Sequence, residues 1–201
     1  MISTFNLLAC YYCMTKTMNW DEYIDYTHQL LTTDPPPPPY DNPDYHHYTQ
    51  MNETRMKRWV KTNPITEETV AVIKEISQPQ NWVVITEPWC GDAAHIVPIL
   101  YLMSSLNDKI SFELQLRDSG SEIDQYLTNG SKSIPILIVR DEKGNDLFHW
   151  GPRPKEGQEM YLELAARKAD FEVVKTAIQT YYNADKSLST QKEVVALLRA
   201  V

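Results

Sequence analysis

Cysteine is scarce in this chain: three residues, Cys10, Cys13 and Cys90, in a total of 201. So small and odd a number is not a disulfide framework, and it suits a reducing compartment. Long apolar runs are missing too, and none approaches the length of a membrane span. Positive charge is in deficit, with 19 Lys and Arg against 27 Asp and Glu for a net charge of -8. That balance argues against nucleic acid and anionic membrane as main partners. There is no internal repeat, no phosphate-binding loop, no Ser-His-Asp order and no carboxylate pair that stands out.

What is present is enough apolar material, 42% of the residues, for one well-filled core with some excess around it. Five Trp and twelve Tyr form a heavy aromatic load weighted toward the first 90 residues, either as core or as a partner surface. The start of the chain carries two weak signals. Leu7-Leu8-Ala9-Cys10 looks like a lipid-attachment box, but no Lys or Arg precedes it and the apolar region is short for a signal peptide. Cys10-Tyr11-Tyr12-Cys13 has the spacing of redox and zinc sites, yet only His28 lies near enough to be a further ligand. A loose extension, or a true start at Met18, is the plainer expectation.

Asn19 followed by Glu22 predicts a helix start, with Trp20, Tyr23, Ile24, Thr27 and Leu31 on one face. Asp34-Pro35 ends it, and Pro35 to Pro39 predicts a stiff polyproline rod, as spacer or as ligand for a proline-binding domain. A weaker helical pattern runs from Tyr48 to Lys61, with His46-His47 at the surface before it, and Thr66 caps another helix. Strands are predicted at 82–87, 110–116, 134–139 and 146–150, with helices from 93 to 106 and, briefly, from 121 to 127. A long helical region near 156–183 and a last helix near 189–200 close the chain.

The stretch Trp82-Val83-Val84-Ile85-Thr86-Glu87-Pro88-Trp89-Cys90-Gly91-Asp92-Ala93 organises the rest. A buried strand runs into a turn, and a cysteine stands at the start of a helix, where unpaired N–H groups favour a thiolate. The arrangement resembles the active site of the thioredoxin family. Two further landmarks fall in the right order, Ile134-Pro135 at the start of the strand at 134–139 and Gly151 after the strand at 146–150. The segments Glu87–Asp92 and Trp150–Pro154 are similar to a bacterial branch of that family with a Trp-Cys-Gly-Asp-Ala site. The resemblance spans about residues 66–182. It implies an α/β, thioredoxin-like three-layer sandwich with a mixed central sheet and extra N- and C-terminal helices. It also divides the chain into a disordered extension (1–17), a helical arm with a polyproline spacer (18–65) and a thioredoxin-like domain with a helical extension (66–201).

The same resemblance implies that Pro135 is cis and faces Cys90, and that Ile134 offers backbone hydrogen bonds to an extended substrate. It makes Cys90 the catalytic candidate and Trp89, Gly91, Asp92, Ile134, Pro135 and Arg153 the binding residues. Two parts of the family's dithiol chemistry are missing: Ala93 replaces the resolving cysteine, and Val84 replaces a buried acid. Glu87 either assists proton transfer or is solvated at the strand end. Asp92 opposes a thiolate at Cys90, and Arg153 either offsets Asp92 or is a solvated loop charge. His95 either faces solvent or packs.

The leading expectation is monothiol thiol–disulfide exchange through Cys90 in cell redox homeostasis. Its partners would be protein thiols or disulfides, or a low-molecular-weight thiol as external resolver. The competing expectation is a non-catalytic peptide- or protein-binding module. No metal or cofactor is expected, and placement would be cytoplasmic, with lipid anchoring at Cys10 as the minor alternative.

Overall fold

The computed structural model describes residues 17–201; the Cys10–Cys13 spacing and the lipid-box reading fall outside them. Helix α1 (Trp20–Thr32) begins with a capping box in which Asn19 and Glu22 satisfy each other's backbone N–H. Its inward face carries Trp20, Tyr23, Thr27 and Leu30. Helix α2 (Pro43–Thr62) starts five residues earlier than its Tyr48 signal, because Asn42 caps it and Pro43 sits in the first turn, where no donor is missed. Thr49, Asn52, Met56 and Trp59 form its buried stripe, which packs on the helix Gly91–Ser104.

The expected polyproline rod is absent. Two of its bonds, Asp34-Pro35 and Pro38-Pro39, are cis, and the N–H groups of Tyr40 and Asn42 bond to Pro37 O and Pro39 O. The two hydrogen bonds close consecutive turns that bury Tyr40, where a straight spacer is expected.

Helix α3 (Glu67–Glu75), capped by Thr66, leads to β1 (Gln80–Thr86), α4 (Gly91–Ser104) and β2 (Ile110–Leu116), and β2 pairs parallel with β1. A single 3-10 turn (Ile123–Gln125) replaces the expected helix at 121–127. Strands β3 (Ile136–Asp141) and β4 (Asp146–Trp150) form a hairpin, and β3 runs antiparallel to β1. The sheet order is β2-β1-β3-β4. From Trp82 to Ile85 and from Ile136 to Val139 every residue is buried, so both faces of the central strands are covered, as a three-layer α/β sandwich requires. Met18 exchanges two backbone hydrogen bonds with Leu114 at 2.8 and 2.7 Å and protects the outer edge of β2.

The C-terminal region is two helices where the sequence suggests one, α5 (Lys155–Ala166) and α6 (Phe171–Asp185), followed by α7 (Leu188–Leu198). Lys168 adopts a left-handed conformation and Asp170 caps α6 through the Glu172 N–H, which breaks the run despite its continuous apolar period. Gln191 on α7 returns to the start of α3, accepting from Thr66 N–H and donating to Pro64 O. Among the described residues no helix is long and apolar enough to cross a membrane.

Candidate functional site

Strand β1 ends at Thr86, and the turn Glu87-Pro88-Trp89-Cys90 delivers the thiol to the N-cap position just before α4. Cys90 N–H closes this turn on Glu87 O at 3.0 Å. The peptide bond between Ile134 and Pro135 is cis, and Cys90 Sγ lies 3.5 Å from Ile134 O, to which it donates. Gly151 packs against the same segment so closely that a Cβ there would stand 2.3 Å from Pro135 O, at a backbone φ of +127°. That contact explains why glycine follows β4 at this point.

Cys90 is only 7% exposed. Burial, reinforced by the neighbouring Asp92 carboxylate, pushes its thiol up to about 12. The N–H groups of Ala93 and Asp92 and the charge of Arg153 pull the other way, but desolvation outweighs them. The helix start alone would favour a thiolate; its placement under the protein surface reverses the sign.

Arg153 is not a solvated loop charge. Its guanidinium grips Asp92 at 2.6 and 3.0 Å, with the two side chains 13% and 11% exposed, and Tyr182 OH donates to the same carboxylate at 2.8 Å. The ring of Tyr161 lies under Arg153 at 4.1 Å. Asp92 thus ties α4 to the loop after β4 and to α6.

Glu87 is buried rather than solvated. One carboxyl oxygen accepts Asp118 N–H at 2.9 Å, and Tyr40 OH approaches the other at 3.4 Å. Burial raises its pKa to about 7. Tyr23 from α1 is buried in the same region, within electrostatic reach of both Glu87 and Cys90. His95 packs: it stacks on Tyr182 at 4.5 Å, its Nδ1 accepts the Trp59 indole N–H at 3.1 Å, and its Nε2 faces Gln179 Oε1. Those partners fix the neutral tautomer with the proton on Nε2, and burial lowers its pKa to about 4. Trp89 sits half-buried between the edge of Tyr45 and the guanidinium of Arg117, and Gly91 is exposed at the helix start. Val84 is fully buried in β1.

The site residues expected from sequence therefore gather around Cys90. Tyr40, Asn52, Tyr182 and Asp118 were not singled out for it. Their only sequence signals are an aromatic excess and a capping-type polar residue, neither of which names a partner. Among the described residues no group of three or more His, Cys, Asp or Glu is arranged to hold a metal ion.

Comparison with protein families matches residues 39–172, more than half of the chain, to the family described as Thioredoxin. The chain belongs to the thioredoxin family. The match starts at the end of the proline turn, so it takes in α2 as well as the sheet. Among solved structures, a crystal structure of an HIV epitope-scaffold is similar with a TM-score of 0.58 and 14% identity over 99% of both chains. A protein of unknown function from Pseudomonas aeruginosa, solved at 1.5 Å, is similar with a TM-score of 0.52 and 15% identity over 91% of this chain and 98% of its own. At such identities these likenesses show a shared fold alone. No curated protein matches.

Proposed function

We propose that this thioredoxin-family protein acts as a binding module, whose cleft between Trp89, Gly91, Ile134 and Pro135 takes an extended peptide. The observation that carries the reading is the state of Cys90: a buried thiol that donates to Ile134 O, with its pKa near 12. Burial therefore leaves less thiolate at neutral pH than an ordinary thiol would have. With Ala93 unable to resolve a mixed disulfide and Val84 unable to move a proton, a catalytic cycle lacks three of its parts at once.

Monothiol exchange through Cys90 is the second reading, and one observation favours it. The N–H groups of Asp92 and Ala93 point at the sulfur, and Arg153 lies near enough to stabilise a negative charge there. A partner that displaced the Ile134 contact would then meet a thiol with stabilising groups in place, and an external thiol would resolve the product.

Incubation of the full-length protein with glutathione disulfide at pH 7.5, followed by mass mapping of the Cys90 peptide, separates the two. The binding reading expects no mixed disulfide at Cys90 over hours in which a cysteine in an unstructured peptide reacts fully. Mixed-disulfide formation at Cys90 as fast as in that peptide would overturn it and establish the monothiol reading.

A further inference from the structure

Four residues, Glu87 to Cys90, place the sulfur, and their own backbone supplies one hydrogen bond, Cys90 N–H to Glu87 O. Much of the remaining hold on this turn comes from the N-terminal arm. Tyr40, buried at the end of the proline turn, reaches the Glu87 carboxyl, and Asn52 on α2 donates its side-chain N–H to Pro88 O at 2.9 Å. Tyr45, on the first turn of α2, packs its ring on Trp89 at 5.4 Å between centroids. One turn further into α4, Trp59 of the same arm holds His95. Asp118 and Arg117, after β2, grip Glu87 and Trp89 from outside the arm.

We propose that the N-terminal arm is a built-in positioning element for the Cys90 turn, acting through Tyr40 on Glu87, Asn52 on Pro88 and Tyr45 on Trp89. The physical basis is satisfaction of buried polar groups. Glu87 is 5% exposed and Asn52 1%, so each bond lost in the closed turn leaves a buried donor or acceptor without its partner. The cheapest remedy is to let the turn move toward water, and Cys90, its last residue, moves with it. Tyr40, Asn52 and Tyr45 make no hydrogen bond to the sulfur, so they are positioning residues. The inference rests on the reading of the Cys90 cleft as the site, and it concerns what holds the Cys90 turn in its buried position.

The test is the iodoacetamide labelling rate of Cys90 in the full chain at pH 8, read by peptide mass mapping so that Cys10 and Cys13 do not confuse it. Tyr40→Phe and Asn52→Leu are each expected to label Cys90 about 5- to 10-fold faster than wild type, the size expected when one hydrogen bond holding a closed state is lost. Glu87→Gln, which keeps an acceptor for Asp118 N–H and offers Tyr40 OH an N–H to accept, should label closer to wild type than Glu87→Ala. Gln191→Leu is the control, because it breaks the α7 bonds to Thr66 and Pro64 and leaves the turn untouched. It should lower the melting temperature without changing the Cys90 rate. Wild-type labelling in Tyr40→Phe and Asn52→Leu, or equal acceleration in Gln191→Leu, overturns the proposal. Reaction of the wild type with glutathione disulfide is a separate measurement, so either reading can fail while the other stands.

Discussion

Replacing Arg153 by Met removes the cation from a pair that the fold has largely withdrawn from water. The two side chains are 13% and 11% exposed and meet through two hydrogen bonds of 2.6 and 3.0 Å. Exposed pairs contribute about 0–1 kcal/mol, whereas breaking a buried one costs about 3–5 kcal/mol, because the remaining charge loses its compensation. Tyr182 OH still donates to Asp92, which puts the expected loss near the lower end, about 3 kcal/mol. Met retains the apolar stem over Tyr161 but not the cation–π contact, a smaller effect. The assay is urea unfolding followed by circular dichroism, with an unchanged slope required before midpoints are compared. Asp92→Asn and the double variant complete a cycle, in which the double variant should cost at least about 1.5 kcal/mol less than the sum of the singles. A loss below about 1 kcal/mol for Arg153→Met, or additivity within about 0.5 kcal/mol, would refute the claim that this pair acts as a buried unit. The same substitution removes a positive charge that favours the Cys90 thiolate, so alkylation of Cys90 should also slow.

Gly151→Ala should lower stability by about 2–4 kcal/mol, from the clash with Pro135 O and the left-handed φ together, as read by thermal unfolding. Glu87 has a folded pKa near 7 against 4.5, so the native state holds its proton where the unfolded chain has lost it. Its contribution is therefore present below about pH 4.5 and lost as pH rises to 7; Glu87→Gln should gain about 2–3 kcal/mol relative to wild type between pH 5 and pH 8, and a pH-independent difference would count against this. His95 has the opposite sign: with a folded pKa near 4 against 6.5, its neutral form is favoured by the native state, and stability falls on acidification from 6.5 toward 4. Trp59→Phe, which leaves His95 Nδ1 without its donor, should cost about 1–3 kcal/mol at pH 8 and less at pH 5, measured by urea unfolding at both values.

Local chemistry was enough to read much of this protein from its residues. The capping box at Asn19, the Thr66 cap, the β-branched run ending at Thr86 and the hairpin around Gly144 depend on neighbours within a few positions, and the structure has them where the sequence puts them. The ordered landmarks Trp89-Cys90-Gly91, Ile134-Pro135 and Gly151 carried the resemblance to the family and, with it, the mixed sheet; at Gly151 the reason is physical, since a Cβ there would stand 2.3 Å from Pro135 O. Continuous apolar period misled at Arg167–Asp170, where a left-handed residue and a cap divide two helices that share one stripe. Proline composition misled at Pro35–Pro39, where hydrogen bonds from Tyr40 N–H to Pro37 O and from Asn42 N–H to Pro39 O close turns and Tyr40 is buried by residues distant in the chain. The sign of the Cys90 shift was decided by tertiary structure: helix start, Asp92 and Arg153 are visible in the sequence, but burial, which the Asp92 carboxylate reinforces, outweighs the helix start and Arg153 and comes from residues far along the chain. The same holds for Glu87, whose partners Tyr40 and Asp118 lie 47 and 31 positions away. Desolvation depends on what the whole fold places overhead, and no local pattern records it.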